Sequence, residues 1–190
     1  DMTAYHESGL RGALLFTAIG MAVTVVLQSS HATLMLTLAA LASGQLELGQ
    51  SLAIAIGSNV GSSVTTAFVG SLGGNRSGQR LALAHALFNI TTGVIAFILL
   101  GPLTWLVQAL AEPLGLGGNS LIQLAMFHTL FNAMGVALFW PLQAHLAQWL
   151  IRWLPERVEP SVLITELLPE QMAEPELTRA RYLNERALDS

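Results

Sequence analysis

The chain of 190 residues has no cysteine and no lysine, and only 11% of it is charged. Without cysteine there is no disulfide framework and no thiolate chemistry. Without lysine, eight arginines are the whole basic complement against twelve acidic residues. No basic face exists to neutralise a phosphate backbone, which excludes nucleic-acid binding. Between residues 12 and 151 the ionised side chains are Glu47, Arg76, Arg80 and Glu112, whereas thirteen crowd into residues 152–190. A soluble domain carries about one quarter charged residues to solvate its surface. Four charges in 140 residues cannot do that, so the stretch is expected to lie in a lipid bilayer.

What is present is 53% hydrophobic residues, laid out in runs to be compared with the roughly 20 apolar residues that span hydrocarbon. Residues 12–27 form the first run and stop at Gln28-Ser29-Ser30. Residues 32–42 follow and end in a polar turn, Gly44-Gln45-Leu46-Glu47. Residues 48–56 stop at Gly57-Ser58-Asn59-Val60-Gly61-Ser62-Ser63, and 64–72 resume before a loop over 73–78. The first 72 residues thus read as two apolar stretches, each interrupted in its middle. Polar backbone at membrane depth is tolerated only where protein buries it or it lines a wet cavity, and paired interruptions point to a transporter binding site.

The second half reads as a nearly continuous helix over 81–107 and another over 121–140. Pro141 then permits a kink, and residues 143–153 form an amphipathic continuation with Trp140, Trp149 and Trp153 at headgroup depth. From Pro155 the chain holds four of its seven prolines among alternating Glu and Arg, the composition of a linker or of the start of a soluble domain. A helix is expected to begin in 179–190.

The arginines set orientation. If each interrupted stretch crosses the membrane, Arg11, Arg76, Arg80, Arg152 and Arg157 share one side and Glu47 and Glu112 the other. If 12–42 is a re-entrant hairpin with Gln28 at its tip, Arg11 lies opposite Arg76. In both cases the Arg76 end and the tail are expected inside, in a multi-pass protein of the cell membrane with a cytoplasmic tail.

Two clusters carry candidate chemistry. Gln28, Ser29, Ser30 and Thr33 offer an amide carbonyl and hydroxyls, hard oxygen ligands for a small cation, beside helix ends whose free N–H groups suit an anion. Asn59, Ser62, Ser63, Thr65 and Thr66 offer the same chemistry, with Gly57 and Gly61 allowing close backbone approach. Against this stands the tendency of Ser and Thr in membrane helices to bond back to a carbonyl one turn earlier. A weak repeat, His85-Ala86-Leu87-Phe88-Asn89 and His128-Thr129-Leu130-Phe131-Asn132, places each His and Asn on one helix face. Interhelical hydrogen bonding is the first expectation for these pairs. A serine hydrolase is disfavoured, since no Gly-x-Ser-x-Gly elbow or membrane-depth carboxylate accompanies the Ser and His residues.

Taken together, Gln28-Ser29-Ser30, Gly57-Ser58-Asn59-Val60-Gly61-Ser62-Ser63-Val64-Thr65 and Ala84-His85-Ala86-Leu87-Phe88-Asn89 resemble the type II sodium–phosphate cotransporter family, specifically its second repeat, over residues 16–142. The resemblance implies an all-α integral membrane protein, one half of an inverted-repeat transporter with broken or re-entrant helices. It implies a sodium-coupled symporter of inorganic phosphate, not an enzyme, with no cofactor beyond the coupling ion. Gln28, Ser29 and Ser30 would hold sodium and line the phosphate site. Thr33, Asn59, Ser62, Ser63, Thr65 and Thr66 would complete it, and His31, His85, Asn89, His128 and Asn132 would modulate it. His31 stands where the family has a third serine, which removes a hydroxyl and adds a titratable ring.

The expected organisation is a lead-in over 1–11, a transmembrane repeat over 12–153, and a cytoplasmic linker over 154–190 that opens a PhoU-like helical domain near Ala180. One repeat needs a second, from the same polypeptide or another subunit. The other functional reading is a membrane module that senses phosphate, or anchors a cytoplasmic regulatory domain, without flux.

Overall fold

The computed structural model describes residues 2–73 and 75–156, without the side chains of residues 2–8 and 73. The chain divides into a compact unit, Asp1–Leu154, and a second unit, Pro155–Ser190. The expected tail helix, the PhoU-like entry and Arg157 lie outside the described residues.

All regular structure among the described residues is helical. The α-helices are α1 (Met2–Leu27), α2 (Ser30–Ala42), α3 (Leu48–Gly73), α4 (Arg76–Ile98), α5 (Leu100–Ala111), α6 (Ser120–Phe139) and α7 (Gln143–Trp153). Among the described residues, four stretches are long and apolar enough to cross a membrane: Gly9–Leu27, Leu48–Leu72, Arg76–Ile98 and Ser120–Trp153. Leu14, Val26, Phe68, Leu81 and Ile98 are exposed on these stretches, a surface that suits hydrocarbon or a further protein partner and not water.

The turns follow local chemistry. Gly44 takes φ +74° after α2, a left-handed conformation that costs glycine little. Asn75 caps α4, its Oδ1 accepting the Gly78 N–H at 2.8 Å. Asn119 caps α6 through Ile122 N–H. Pro141 is the second residue of the short 3-10 turn Trp140–Leu142 that joins α6 to α7.

Two expectations are corrected. The apolar stretch 81–107 is not one helix: α4 ends at Ile98 and α5 starts at Leu100. The ring of Pro102 would collide with the carbonyl of Ile98 in a continuous helix, whereas in the first turn of α5 its missing N–H costs nothing. The second interruption is not a break either, because α3 runs unbroken through 57–63. Its hydroxyls are spent inside the helix: Ser58 donates to Ala55 O at 2.8 Å, Ser63 to Val60 O at 2.7 Å, Thr65 to Ser62 O at 2.8 Å and Thr66 to Ser62 O at 2.9 Å.

The glycines of that segment serve packing. A Cβ on Gly57 would overlap the carbonyl oxygen of Thr17, one on Gly20 the carbonyl oxygen of Ile54, and one on Gly61 would come within 2.6 Å of Met21 O. The backbones of α1 and α3 therefore touch directly, through small residues four apart, as in tightly associated membrane helices. Residues 17, 21 and 24 of α1 meet 57 and 61 of α3 in ascending order, so these two helices run parallel. Because α1 and α3 point the same way, α2 must carry the chain back, and its 13 residues return it by about 20 Å. Arg11 consequently lies at the end of Glu47, opposite Arg76, as a hairpin over 12–42 requires.

After α3 the long helices α4 and α6 reverse direction in turn. Gly70 meets Ala82, and Gly93 meets Val60 and Ile56, which sets α4 antiparallel to α3. Gly135 of α6 packs on Thr92 and Phe88, with the Phe88 and Phe139 rings 5.1 Å apart, so α6 is antiparallel to α4. The core joins Leu52, Ala55 and Ile56 of α3 to Ala96, Leu103, Val107, Leu124, Phe127 and Phe131. Arg80 Nε donates to Leu154 O at 2.8 Å, placing the end of α7 beside the start of α4. Arg76, Arg80 and Arg152 thus gather at one end of the bundle.

Gly57→Ala and Gly20→Ala are expected to lower stability by about 1–3 kcal/mol, the usual cost of overpacking, read as an earlier thermal transition in detergent. Gly101→Ala places its Cβ where nothing lies within 4 Å and is expected to leave the transition in place. An unchanged transition for Gly57→Ala would contradict direct contact between α1 and α3.

Candidate ion-binding site at a helix break

The first interruption is a true break. Gln28 takes φ +54°, the one non-glycine among the described residues with positive φ, and Ser29 is extended at φ −151°, ψ 111°. The left-handed conformation costs an L-residue about 1–2 kcal/mol, so the position carries strain. Ser29 then caps α2. Its Oγ accepts the Ala32 N–H at 3.2 Å and its carbonyl accepts the Thr33 N–H at 3.2 Å.

The fold-back is locked by two threonines. Thr24 Oγ1 and Thr33 Oγ1 are 2.7 Å apart, and both residues are buried. In a straight helix nine residues would separate them by about 13 Å. Thr33 also reaches Ser29 O at 3.2 Å, and Thr37 donates to Thr33 O at 2.7 Å. Thr24 is a residue that sequence reasoning missed, because nothing in local spacing announces a contact made only when the chain turns back.

Gathered at this tip are the last carbonyls of α1 and the first amides of α2, groups that have no partner inside their own helices. They bring partial negative and partial positive charge to one place without a single ionised side chain. The side chains of Gln28, Ser30, His31 and Ser62 make no hydrogen bond among the described residues. Gln28 and His31 are exposed, and Ser30 and Ser62 are half-buried. These four have free polar capacity. Ser29, Thr33, Ser63, Thr65 and Thr66 are engaged in the local bonds above, and Ser63 is wholly buried.

Asn59 belongs to a different arrangement. Its Nδ2 donates to Asn132 Oδ1 at 2.8 Å, and its Oδ1 stands 3.4 Å from His128 Nε2. Asn132 Nδ2 in turn donates to the backbone carbonyl of His128 at 2.7 Å. The interhelical bonding expected of the second His–Asn pair is therefore present, between α6 and α3. The first pair behaves differently. Asn89 is buried and donates to His85 O at 2.9 Å, while the His85 ring is exposed and lines a cavity of about 550 Å³ with Arg80, Phe88, Phe139 and Leu150. His128, by contrast, lies within electrostatic range of His31. Since Gly61 also rests on Thr24, the hairpin tip, the middle of α3 and the His128–Asn132 turn of α6 are neighbours.

The described residues hold no group of three or more His, Asp or Glu side chains suited to a transition metal. The donor set at the tip is neutral oxygen, which fits a hard monovalent cation better than a divalent one.

The described residues thus form a bundle of apolar helices, long enough in four stretches to cross a membrane, with a neutral, oxygen-rich break between α1 and α2. The chain matches the profile described as Na+/Pi-cotransporter over residues 3–136, and it belongs to that family. Among curated proteins it is similar to one described as "Uncharacterized protein YqeW" of Bacillus subtilis (strain 168), 27% identical over 138 residues. That alignment covers 73% of this chain and 42% of the relative, so the chain spans less than half the relative's length. No solved structure matches the chain.

The hairpin lock predicts a non-additive pair. Thr33→Val leaves the Thr24 hydroxyl without its partner in a buried place and is expected to cost about 1–3 kcal/mol. Thr24→Val should cost less, since Thr33 still reaches Ser29 O. The double variant is expected to lose less than the sum of the two, measured by denaturation in detergent. Strict additivity would argue against the bond.

Proposed function

We propose that the chain is the half of a sodium-coupled phosphate transporter that carries one of its two substrate-binding hairpins. The observation that carries this is the strained, fully neutral turn at Gln28-Ser29, where helix ends and free polar side chains converge in an otherwise apolar stretch. Sodium is held by the Gln28 carbonyl, the Ser29 and Ser30 oxygens and the carbonyls ending α1. Phosphate is held by the first amides of α2 and by Asn59, Ser62 and the hydroxyls of Thr33, Ser63, Thr65 and Thr66 as they come free of their local bonds.

Sodium bound first adds a positive charge that strengthens phosphate binding, which neutral ligands do weakly by themselves. Only a difference in affinity between outward- and inward-facing states can then couple the two ions. The α1–α2 pair enters and leaves the bilayer on the side of Glu47, as a re-entrant hairpin. Arg76, Arg80 and Arg152 mark the cytoplasmic end. The exposed tip, with Gln28 and His31 uncovered, is closed by a second, inverted repeat from the same polypeptide or another subunit.

The test is radiolabelled phosphate uptake into proteoliposomes of the full-length protein, with and without an inward sodium gradient. Uptake is expected to require the gradient. Gln28→Gly separates site from scaffold: glycine relieves the left-handed strain, so stability should hold or rise by about 1 kcal/mol while uptake falls. Retained uptake in Gln28→Gly would remove Gln28 from the site. Phosphate binding without sodium-driven flux would favour the sensing module instead. The 190-residue chain by itself is expected not to transport.

A further inference from the structure

Three hydrogen bonds tie His128, Asn132 and Asn59 into a closed ring between α6 and α3, and its polarity is decided at one atom. The His128 backbone carbonyl can only accept. It therefore takes Asn132 Nδ2, at 2.7 Å, which turns Asn132 Oδ1 toward α3. That oxygen in turn requires Asn59 to present Nδ2, at 2.8 Å. The Asn59 Oδ1 is then left facing His128 Nε2, at 3.4 Å, and this nitrogen must carry a proton. Flipping either amide would set oxygen against oxygen or N–H against N–H. The His128 ring is itself steadied edge-on against Phe131, with centroids 5.4 Å apart and planes at 89°.

We infer that His128 and Asn132 are positioning residues that hold the Asn59 amide in one fixed orientation at the ion site. Held this way, Asn59 keeps one N–H and one lone pair to offer a ligand, and it remains partly accessible. The ring also couples α6 to α3 at the height of the hairpin tip, so a shift of α6 reorients a ligand group without touching the ligand. The first His–Asn pair has the same spacing but no such role, since its ring faces the cavity between α4 and α7. This inference rests on the placement of Asn59 in the site proposed above.

The experiment is sodium-driven phosphate uptake in proteoliposomes of the full-length protein, with KM for sodium and for phosphate and the turnover rate measured separately. His128→Leu removes the donor to Asn59. Asn132→Asp is isosteric and, as the carboxylate, has no N–H or O–H to give the His128 carbonyl. Both are expected to raise one KM about tenfold, the size typical of losing a group that orients a ligand, with turnover within about twofold. His128→Gln restores an N–H in place of Nε2 and is expected to return KM to within about twofold of the parent. If His128→Leu fails to fold, as judged by size-exclusion profile, Asn132→Asp and His128→Gln still decide the matter. Unchanged KM values in Asn132→Asp and His128→Leu, alongside lost uptake in Asn59→Leu, would overturn the positioning role and leave the site intact. Parental KM values in Asn59→Leu would remove Asn59 from the site and take this inference with it.

Discussion

The contact on which the rest depends is backbone against backbone, α1 on α3. Hydrocarbon gives apolar side chains no reason to prefer each other over lipid, so helices in it associate by close fit and polar bonds. Gly20, Gly57 and Gly61 supply the fit. With α1 pressed parallel to α3, α2 has no course but to return beside them, and the turn between α1 and α2 falls at the level of Gly61 and Thr24. The strained Gln28 is held there by its surroundings, since Ser29 caps α2 and the Thr24–Thr33 bond ties the two arms.

That arrangement shows how a stretch with four charges in 140 residues could offer the ion site proposed above. Bringing a carboxylate or an ammonium into the bilayer is expensive. Ending one helix and starting another at the same point supplies opposite partial charges on groups the fold already contains. The neutral side chains around the break add shape and oxygen ligands. In the transporter proposed above, the charge needed for anion binding would be brought by the co-bound cation, which would link binding of the two ions through simple electrostatics.

Polar residues in this bundle divide into three kinds that look alike in sequence. Ser58, Ser63, Thr65 and Thr66 bond back to their own helix and let α3 pass uninterrupted through a segment rich in glycine and serine. Thr24 with Thr33, and Asn59 with Asn132, join one helix to another. Gln28, Ser30, His31 and Ser62 keep their capacity open. Composition cannot sort them, because what distinguishes them is the position of the neighbouring helix.

The break at Gln28-Ser29-Ser30, the turn at Gly44, the kink at Pro141 and the gathering of charge after residue 152 were legible because each depends on residues adjacent in the chain: a cap, a positive φ, a missing N–H, a solvation need. The end of α4 at Ile98 was also written locally, in Pro102, but the unbroken apolar run around it outweighed that signal. Gly57 and Gly61 were visible as a small-residue pair four apart, yet whether such a pair bends a helix or seats a neighbour depends on what lies opposite. The sequence alone determined a membrane protein of apolar helices with a break at Gln28-Ser29-Ser30 and its arginines biased to one end, since so little charge cannot solvate a surface in water. The tertiary structure alone decided that the first pair folds back, that the third helix does not break, and that His128 rather than His85 reaches Asn59. Those outcomes turn on contacts between residues 9 to 73 apart in the chain, which no local pattern encodes.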